Sequence, residues 1–319
     1  MEKIGIPGLV ASIGMSLFLL ILTLLCFTPP GAAGDMGLCL SSPNEWQLPK
    51  FIGWAMNAAL IYISTAVMYS ANNRYSFIPS ADYVLPALMA ILLACTSVTT
   101  ATISTSTILM ATNIVALYIL FETYESYNAT RQYFIMASLI SIGSMFQYAF
   151  VMMIPVYIAG GVIMKSLHIR EIFAFLFGLF ASYWIFFGLG IVPFSALQMP
   201  DGLTIFNKTQ ATANDIFITV LITGLTALIG LVASFYNSVR LLSRNARVRC
   251  MHITVNIMGY ICVLCLIFNF NNFLSYAGTL ALWVAIEIAL LLELYEVRHP
   301  RIWVGSISAI FLILYFCCL

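Results

Sequence analysis

Long apolar segments follow one another along almost the whole chain, and most charged residues fall in the short stretches between them. A bilayer offers no water to backbone N–H and C=O groups, so a chain with this pattern is expected to form a bundle of transmembrane helices. About eleven segments are expected to span the membrane. Their approximate bounds are 7–28, 51–71, 80–96, 107–124, 131–147, 150–165, 171–192, 215–238, 251–269, 273–295 and 302–319.

The composition also indicates a polytopic membrane protein, since 62% of the residues are hydrophobic and only 8% are charged. Eleven spans of roughly 20 residues each leave too little chain for an appended soluble domain. We therefore expect an all-α fold, with one integral membrane domain over residues 1–319. Membrane lipids are the expected surroundings. No motif for a cofactor, a metal or nucleic acid is found.

The thirteen Lys and Arg residues predict how the bundle is oriented. If the N-terminus is cytoplasmic, only Lys50 and Lys208 fall outside, as the positive-inside rule requires of short loops. The two long exterior loops are then residues 29–50 and 193–214. The residues that fall inside are Lys3, Arg74, Arg131, Lys165, Arg170, Arg240, Arg244, Arg247, Arg249, Arg298 and Arg301.

Two predicted hairpins are too short to cross a bilayer fully. Between Arg131 and Lys165 each arm reaches roughly 24 Å, against a hydrocarbon core of about 30 Å. We expect a half-depth turn near Gln147, and a second one in the Ser/Thr-rich run 96–107. Irregular backbone at this depth is typical of a wet cavity, here open to the exterior. The alternatives are a thinned bilayer, or hydroxyl groups that bond to their own helix backbones.

Glu287 is the one carboxylate that lies well inside an apolar segment. An ionisable group in that position usually marks an ion or proton site. In the alternative, structural interpretation, water or an arginine near the cytoplasmic end reaches Glu287. The other intramembrane polar groups of note are amides, for which interhelical hydrogen bonds are expected. They are Asn57, Asn113, Gln147 and Asn256.

The predicted exterior loops carry groups that could act on a phosphate. Phosphoryl-linked transfer requires a carboxylate as base or metal ligand and a cation beside the phosphate. Any pair of solvated loops contains the same groups, so they do not decide the chemistry. Cys262 and Cys265 have CxxC spacing, but they lie in an apolar helix and are expected to pack rather than bind a metal. The loop residues are Asp35, Glu45, Lys50, Asp201, Lys208 and Asp215.

The stretch from Leu117 to Gly190 carries a family resemblance. It contains residues 116–121 (ALYILF), 137–146 (ASLISIGSMF), Pro155, 168–171 (HIRE) and 177–178 (FG). With the chain length and the final hairpin, it resembles an uncharacterised Bacteroidota family of polytopic inner-membrane proteins, from which no activity follows. About a quarter of the chain is more distantly similar to the membrane module of GT-C glycosyltransferases, which have short half-depth helices here.

The GT-C resemblance implies a set of site residues. These enzymes take polyprenyl-phosphate-linked sugars as donors and use an acidic residue of the first exterior loop in catalysis. Asp35 occupies that loop here, although the loop lacks an Asp-Glu pair. In a GT-C-like interpretation, Asp35 is the base or metal ligand, Lys50 or Lys208 contacts the phosphate, and Thr99 and Thr102 line the acceptor cavity.

Three classes of function remain open from the sequence. The first is a GT-C-like protein of the bacterial inner membrane, acting on or beside lipid-linked saccharides at the exterior face. The second is a transporter or flippase in which Glu287 is the coupling carboxylate. The third is a non-catalytic subunit of an envelope assembly with membrane-protein partners. Whether the protein is an enzyme is not decided.

Overall fold

The computed structural model describes residues 6–26, 37–43, 46, 48–78, 83–197, 213–242, 244–269, 272–295 and 300–318. Within these ranges the regular structure is helical and contains no strand, which confirms the predicted all-α class. The helices in the first half are α1 Ile6–Cys26, α2 Lys50–Tyr75, α3 Val84–Ala94, α4 Ser97–Thr100, α5 Thr105–Glu122, α6 Thr130–Phe146 and α7 Ile154–Ile163. Those in the second half are α8 Ile169–Gly188, α9 Ala213–Leu241, α10 Ala246–Phe268, α11 Phe273–Leu294 and α12 Pro300–Cys318.

Seven helices in the described ranges are long and apolar enough to cross a membrane, namely α1, α2, α5, α8, α9, α10 and α11. Each of the eleven predicted segments contains a helix, so the positions of the segments are confirmed. The structure supports a multi-pass membrane protein with these seven candidate spans. Eleven crossings and a cytoplasmic N-terminus stay predictions.

Helix α11 is the centre of the bundle. Of its most apolar window, 89% is buried inside the protein, against 22% for α1 and 28% for α8. It packs against α3, α5, α9 and α10. A helix that is apolar on all sides suits a central position, because no face of it requires water. By contrast, α8 packs mainly on α6 and turns large side chains outward, such as Trp184, which is 81% exposed.

Both short hairpins are interrupted where the sequence predicts a turn. Helix α3 has 11 residues and is therefore about 16 Å long, well short of a hydrocarbon core of about 30 Å. The four-residue helix α4 connects it to α5. In the second hairpin, α6 ends at Phe146, Gln147 is extended, and a 3-10 turn over Tyr148–Met153 leads into α7. The helix is thus interrupted beside a buried polar residue in both hairpins, Thr100 in the first and Gln147 in the second.

The predicted orientation can be tested with introduced cysteines, in a background where Cys39 and Cys250 are serine. Lys208→Cys should react with a membrane-impermeant thiol reagent in intact cells, or in spheroplasts if an outer membrane intervenes. Asn245→Cys, in the exposed turn between α9 and α10, should react only after lysis. The reverse labelling pattern would show that the positive-inside assignment is wrong.

Candidate functional site

Glu287 lies in the central helix α11 and is completely buried. Its partner is Asn237 of α9, which is also buried. The Asn237 Nδ2 amide donates to Glu287 Oε2 at 2.7 Å and to the Glu287 main-chain oxygen at 2.8 Å. A single amide thus links the carboxylate and its own helix backbone to the neighbouring helix.

The Glu287–Asn237 pair contains two buried oxygens without a hydrogen-bond donor. They are Glu287 Oε1 and Asn237 Oδ1, and neither has a partner among the described residues. No cationic side chain in the described ranges lies within ion-pair distance of Glu287. An unpartnered buried acceptor costs about 1 to 3 kcal/mol, and more when it is charged. Ionisation of Glu287 is therefore energetically costly in this arrangement.

The arginines that the structural interpretation offers, as an alternative to water, contact other residues. Arg244 donates to Glu293 Oε1 at 3.2 Å, and Glu293 is six residues beyond Glu287 along α11. Arg240 of α9 stacks its guanidinium 4.7 Å above the Tyr295 ring. Both cations therefore lie near the end of α11, and the carboxylate deeper in the bundle has an amide as its described partner.

Trp283, one turn before Glu287, is clamped between two glycines. The ring is fully buried, and a Cβ atom at Gly230 of α9 or Gly259 of α10 would overlap it. Its Nε1–H donates to Asn256 Oδ1 at 2.9 Å. Tyr260 packs against the ring edge-on with a centroid separation of 5.8 Å. The indole therefore fills the space between α9, α10 and α11.

The face of α9 toward the bundle interior is small or polar along most of its length. The residues follow one another at helical spacing and are all buried: Thr219, Thr223, Thr226, Gly230, Ser234 and Asn237. Along this stripe, Gly230 and the Trp283 ring stand between the three threonines and Asn237. The aromatic ring thus separates a hydroxyl-rich region from the buried carboxylate.

Two small adjoining cavities, each with room for about one water molecule, lie at the threonine end of this stripe, and Thr96, Thr223 and Ala277 line both. The threonine hydroxyls donate to preceding backbone carbonyls, as in Thr223 to Thr219 at 2.8 Å and Thr96 to Leu93 at 2.9 Å. Hydroxyl groups that bond to their own backbones are therefore what the structure shows. Whether these cavities open to the exterior stays a prediction.

The predicted site threonines are not brought together in one cavity wall. Thr99 lines one of the cavities and its main-chain oxygen accepts from Asn57 Nδ2 at 2.8 Å. Thr102 is partly exposed and is not among the residues that line either cavity. Thr107 donates to the Asn57 oxygen as well. Asn57 thus ties the Ser/Thr-rich run to α2, which is a structural role.

Of the other three intramembrane amides, two form interhelical hydrogen bonds and one does not. Asn113 of α5 donates to Thr279 of α11 at 3.1 Å and accepts from Tyr157 of α7, and Asn256 accepts from Trp283. These interhelical hydrogen bonds confirm the expectation for Asn57, Asn113 and Asn256. Gln147 differs, since it is fully buried and both polar atoms of its side chain lack a partner among the described residues.

The candidate residues of the predicted exterior loops are mostly outside the described part of the chain. Asp35, Lys208, Glu45 and Asp201 fall there, and the side chain of Asp215 does too. Lys50 is described, and it is an exposed residue at the start of α2. Its predicted contact with a phosphate is untested.

A segment close to Asp35 in sequence is nevertheless docked on the second interrupted hairpin. The main-chain N–H groups of Cys39 and Leu40 donate to Met145 O at 3.1 and 2.9 Å, and that of Leu38 donates to Ser144 O. Gly37 is required there, because a Cβ atom would collide with the backbone of Met145. The segment therefore covers the end of α6, next to the buried Gln147.

The sequence reasoning missed Asn237 and the Trp283 clamp. Asn237 is the last residue but one of a predicted span, and its position on the Thr223–Thr226–Gly230 stripe is the signal that could have identified it. Among the described residues, no group of three or more His, Cys, Asp or Glu side chains converges as a metal site would require.

These features define the class: a multi-pass membrane protein built from helices, with a buried carboxylate–amide pair at its centre. Comparison with family models, with curated proteins and with solved structures finds no match to the chain.

Proposed function

We propose that this protein is a membrane transporter or flippase in which Glu287 is the coupling carboxylate. The observation that carries the proposal is the Glu287 side chain itself, completely buried in the central helix, with one oxygen unpartnered and no cationic partner among the described residues. A carboxylate kept at such cost in the membrane is by default a functional group. Its missing partner is the transported or coupled ion.

The surrounding architecture supports a transport role. Secondary transporters place their ion and substrate sites beside discontinuous helices near the middle of the bilayer. Here α11 packs against α3 and α5, the two arms of the first interrupted hairpin. Helix α9 also packs against α11, and it brings Asn237 to the carboxylate. The Glu287–Asn237 contact between α9 and α11 contains no ion pair, so it can open without separating opposite charges.

A second candidate is a GT-C-like protein of the bacterial inner membrane that acts on lipid-linked saccharides at the exterior face. The observation that favours it is the docked segment 37–40, which begins two residues after Asp35 and covers the break at Gln147. In this proposal Asp35 is the base or metal ligand, and the polar atoms of Gln147 become ligands of a sugar or phosphate. Polyprenyl-phosphate-linked sugar is the partner it requires.

One complementation experiment separates the two proposals. A deletion strain would carry Glu287→Gln, Asp35→Asn or wild-type protein, and envelope glycans and lipid-linked precursors would be read by mass spectrometry. For a transporter, Glu287→Gln should fail by at least about tenfold while Asp35→Asn restores the profile. For a transferase, the loss of a base at Asp35 should cost about 100-fold to 10,000-fold.

Controls decide how a failure is interpreted. Glu293→Gln removes a buried carboxylate that is already paired with Arg244, so it should restore the wild-type profile. Each variant's folded yield would be measured by size-exclusion chromatography in detergent. If Glu287→Gln is folded and restores the profile, the transporter proposal is wrong. If Asp35→Asn restores it too, a non-catalytic envelope subunit becomes the favoured class.

A further inference from the structure

We propose that the Glu287–Asn237 pair binds one exchangeable proton, so that the ion coupled by this protein is a proton and not a metal cation. This inference rests on the proposed transport function, and it names the ion at the same site. It follows from a count of donors and acceptors at the pair, from the side chains around it, and from the packing on either side along α11.

The hydrogen-bond inventory of the pair is short of one donor. An ionised carboxylate only accepts, whereas an amide side chain has two donor hydrogens and one acceptor oxygen. Both observed bonds use Asn237 Nδ2, toward Glu287 Oε2 and the Glu287 main-chain oxygen. Glu287 Oε1 and Asn237 Oδ1 are left as two acceptors. One proton on the carboxyl group turns an acceptor into a donor and removes the buried charge.

A metal cation would need ligands that the site does not hold. Hard cations such as Mg²⁺ and Ca²⁺ take six or more oxygen ligands. Within the described ranges, Glu287 belongs to no group of three or more His, Cys, Asp or Glu side chains that could hold a metal ion. On the same face of α11, one turn away on either side, Val284 and Leu290 are buried apolar residues. Two free oxygens suit a proton, which needs one donor atom and one acceptor atom.

No other described titratable group is bonded to the pair. Helix α3 contributes none, and on α5 Glu122 pairs with Arg74 at 3.1 Å. On α10, the His252 Nε2 atom lies 2.9 Å from the Phe77 carbonyl oxygen. A proton at Glu287 is therefore not shared with a second ionisable side chain.

The helices packed against α11 carry other titratable and charged residues. They are Tyr118 of α5, Tyr236, Arg240 and Arg244 on or just after α9, and Arg247, Arg249, Cys250, Tyr260, Cys262 and Cys265 of α10. Helix α11 itself adds Tyr276 and Glu293.

Packing gives the proton a shorter route from one end. Toward the threonine-lined cavities, the Trp283 ring fills the space between Gly230 and Gly259. In the other direction, α11 ends at Leu294, seven residues and about 10 Å from Glu287. Exchange in this conformation is expected from the end of α11. A displacement of Trp283 would connect the pair to the cavities instead, which is the alternation a proton-coupled transporter requires.

Infrared difference spectroscopy of the purified protein tests the proton directly. Spectra recorded between acidic and alkaline buffer should contain the carbonyl stretching band of a protonated, buried carboxyl group, and the band should shift in deuterium oxide. Glu287→Gln should lack this band. Asn237→Leu should keep it at a higher frequency, because the carboxyl group has lost its amide donor. Glu171→Gln, which removes another buried carboxylate, should leave the band in place.

The outcomes separate this inference from the proposed function. If Glu287→Gln keeps the band, or if sodium chloride but not acid stabilises the wild type and fails to stabilise Glu287→Gln, the proton inference is overturned. If the band is lost in Glu287→Gln, yet that variant complements the deletion strain, the proton site stands and the transport proposal fails. If the band is absent in wild type while Glu287→Gln fails to complement, transport stands with another ion.

Discussion

Replacing Trp283 by alanine should lower the free energy of unfolding in detergent by about 3 kcal/mol, at the lower end of the range for buried tryptophan. The indole is fully buried between three helices. Its removal leaves a cavity, because Gly230 and Gly259, which face the ring, have no side chains to fill the space. Surrounding lipid is as apolar as the protein interior, so most of the cost comes from lost van der Waals contact rather than from transfer to water.

The matched control for this variant is Trp184→Ala. Trp184 lies on the outer face of α8 and is 81% exposed, so its removal opens no cavity inside the bundle. Its effect should stay within about 0.5 kcal/mol. Denaturant titration followed by circular dichroism would measure both. Equal losses for the two variants would contradict the packing of Trp283 described above.

A double-mutant cycle tests the contact between Gly259 and the Trp283 ring. Gly259→Ala places a methyl group against the Trp283 ring and should destabilise the protein by about 1 to 3 kcal/mol. In the Trp283→Ala background the same methyl group enters the vacated space, so its cost should disappear. An additive result would mean that Gly259 and Trp283 are not in contact.

Helix positions were predictable from sequence because each depends on a local run of apolar residues. The breaks near Gln147 and in the run 96–107 were predictable for a related reason, since the distance between flanking charges limits how far a hairpin can extend. The burial of Glu287 followed from its apolar neighbours alone. Each of these features is encoded within about 40 residues of chain.

The contacts between residues of the site could not be predicted from the sequence in the same way. Asn237 and Glu287 are 50 residues apart, and whether two helices present an amide and a carboxylate to each other depends on their rotation and crossing. The clamp around Trp283 likewise requires three helices to meet. The roles given to Asp35 and Lys208 rest on a family resemblance, and those residues lie outside the described ranges.

The buried pair itself should prove dispensable for folding and indispensable for function. Glu287→Met combined with Asn237→Leu replaces two unsatisfied acceptors by apolar side chains of similar volume. Substitutions of this kind are commonly neutral or stabilising, and polar contacts between membrane helices average only about 0.6 kcal/mol. The free energy of unfolding should therefore be unchanged or higher by about 1 kcal/mol, while complementation of the deletion strain falls to the background level.

The control for the double variant is Thr279→Val. It removes another buried polar contact of the same helix, the acceptor of the Asn113 amide, without touching Glu287. This variant should lose about 1 kcal/mol of stability and keep its function, which is the opposite pattern. If the double variant fails to fold, the carboxylate and the amide are structural partners. If it folds and complements, Glu287 couples nothing. Stability retained with function lost is the result expected if the missing partner of Glu287 is a transported ion, and a purely structural carboxylate would not give it.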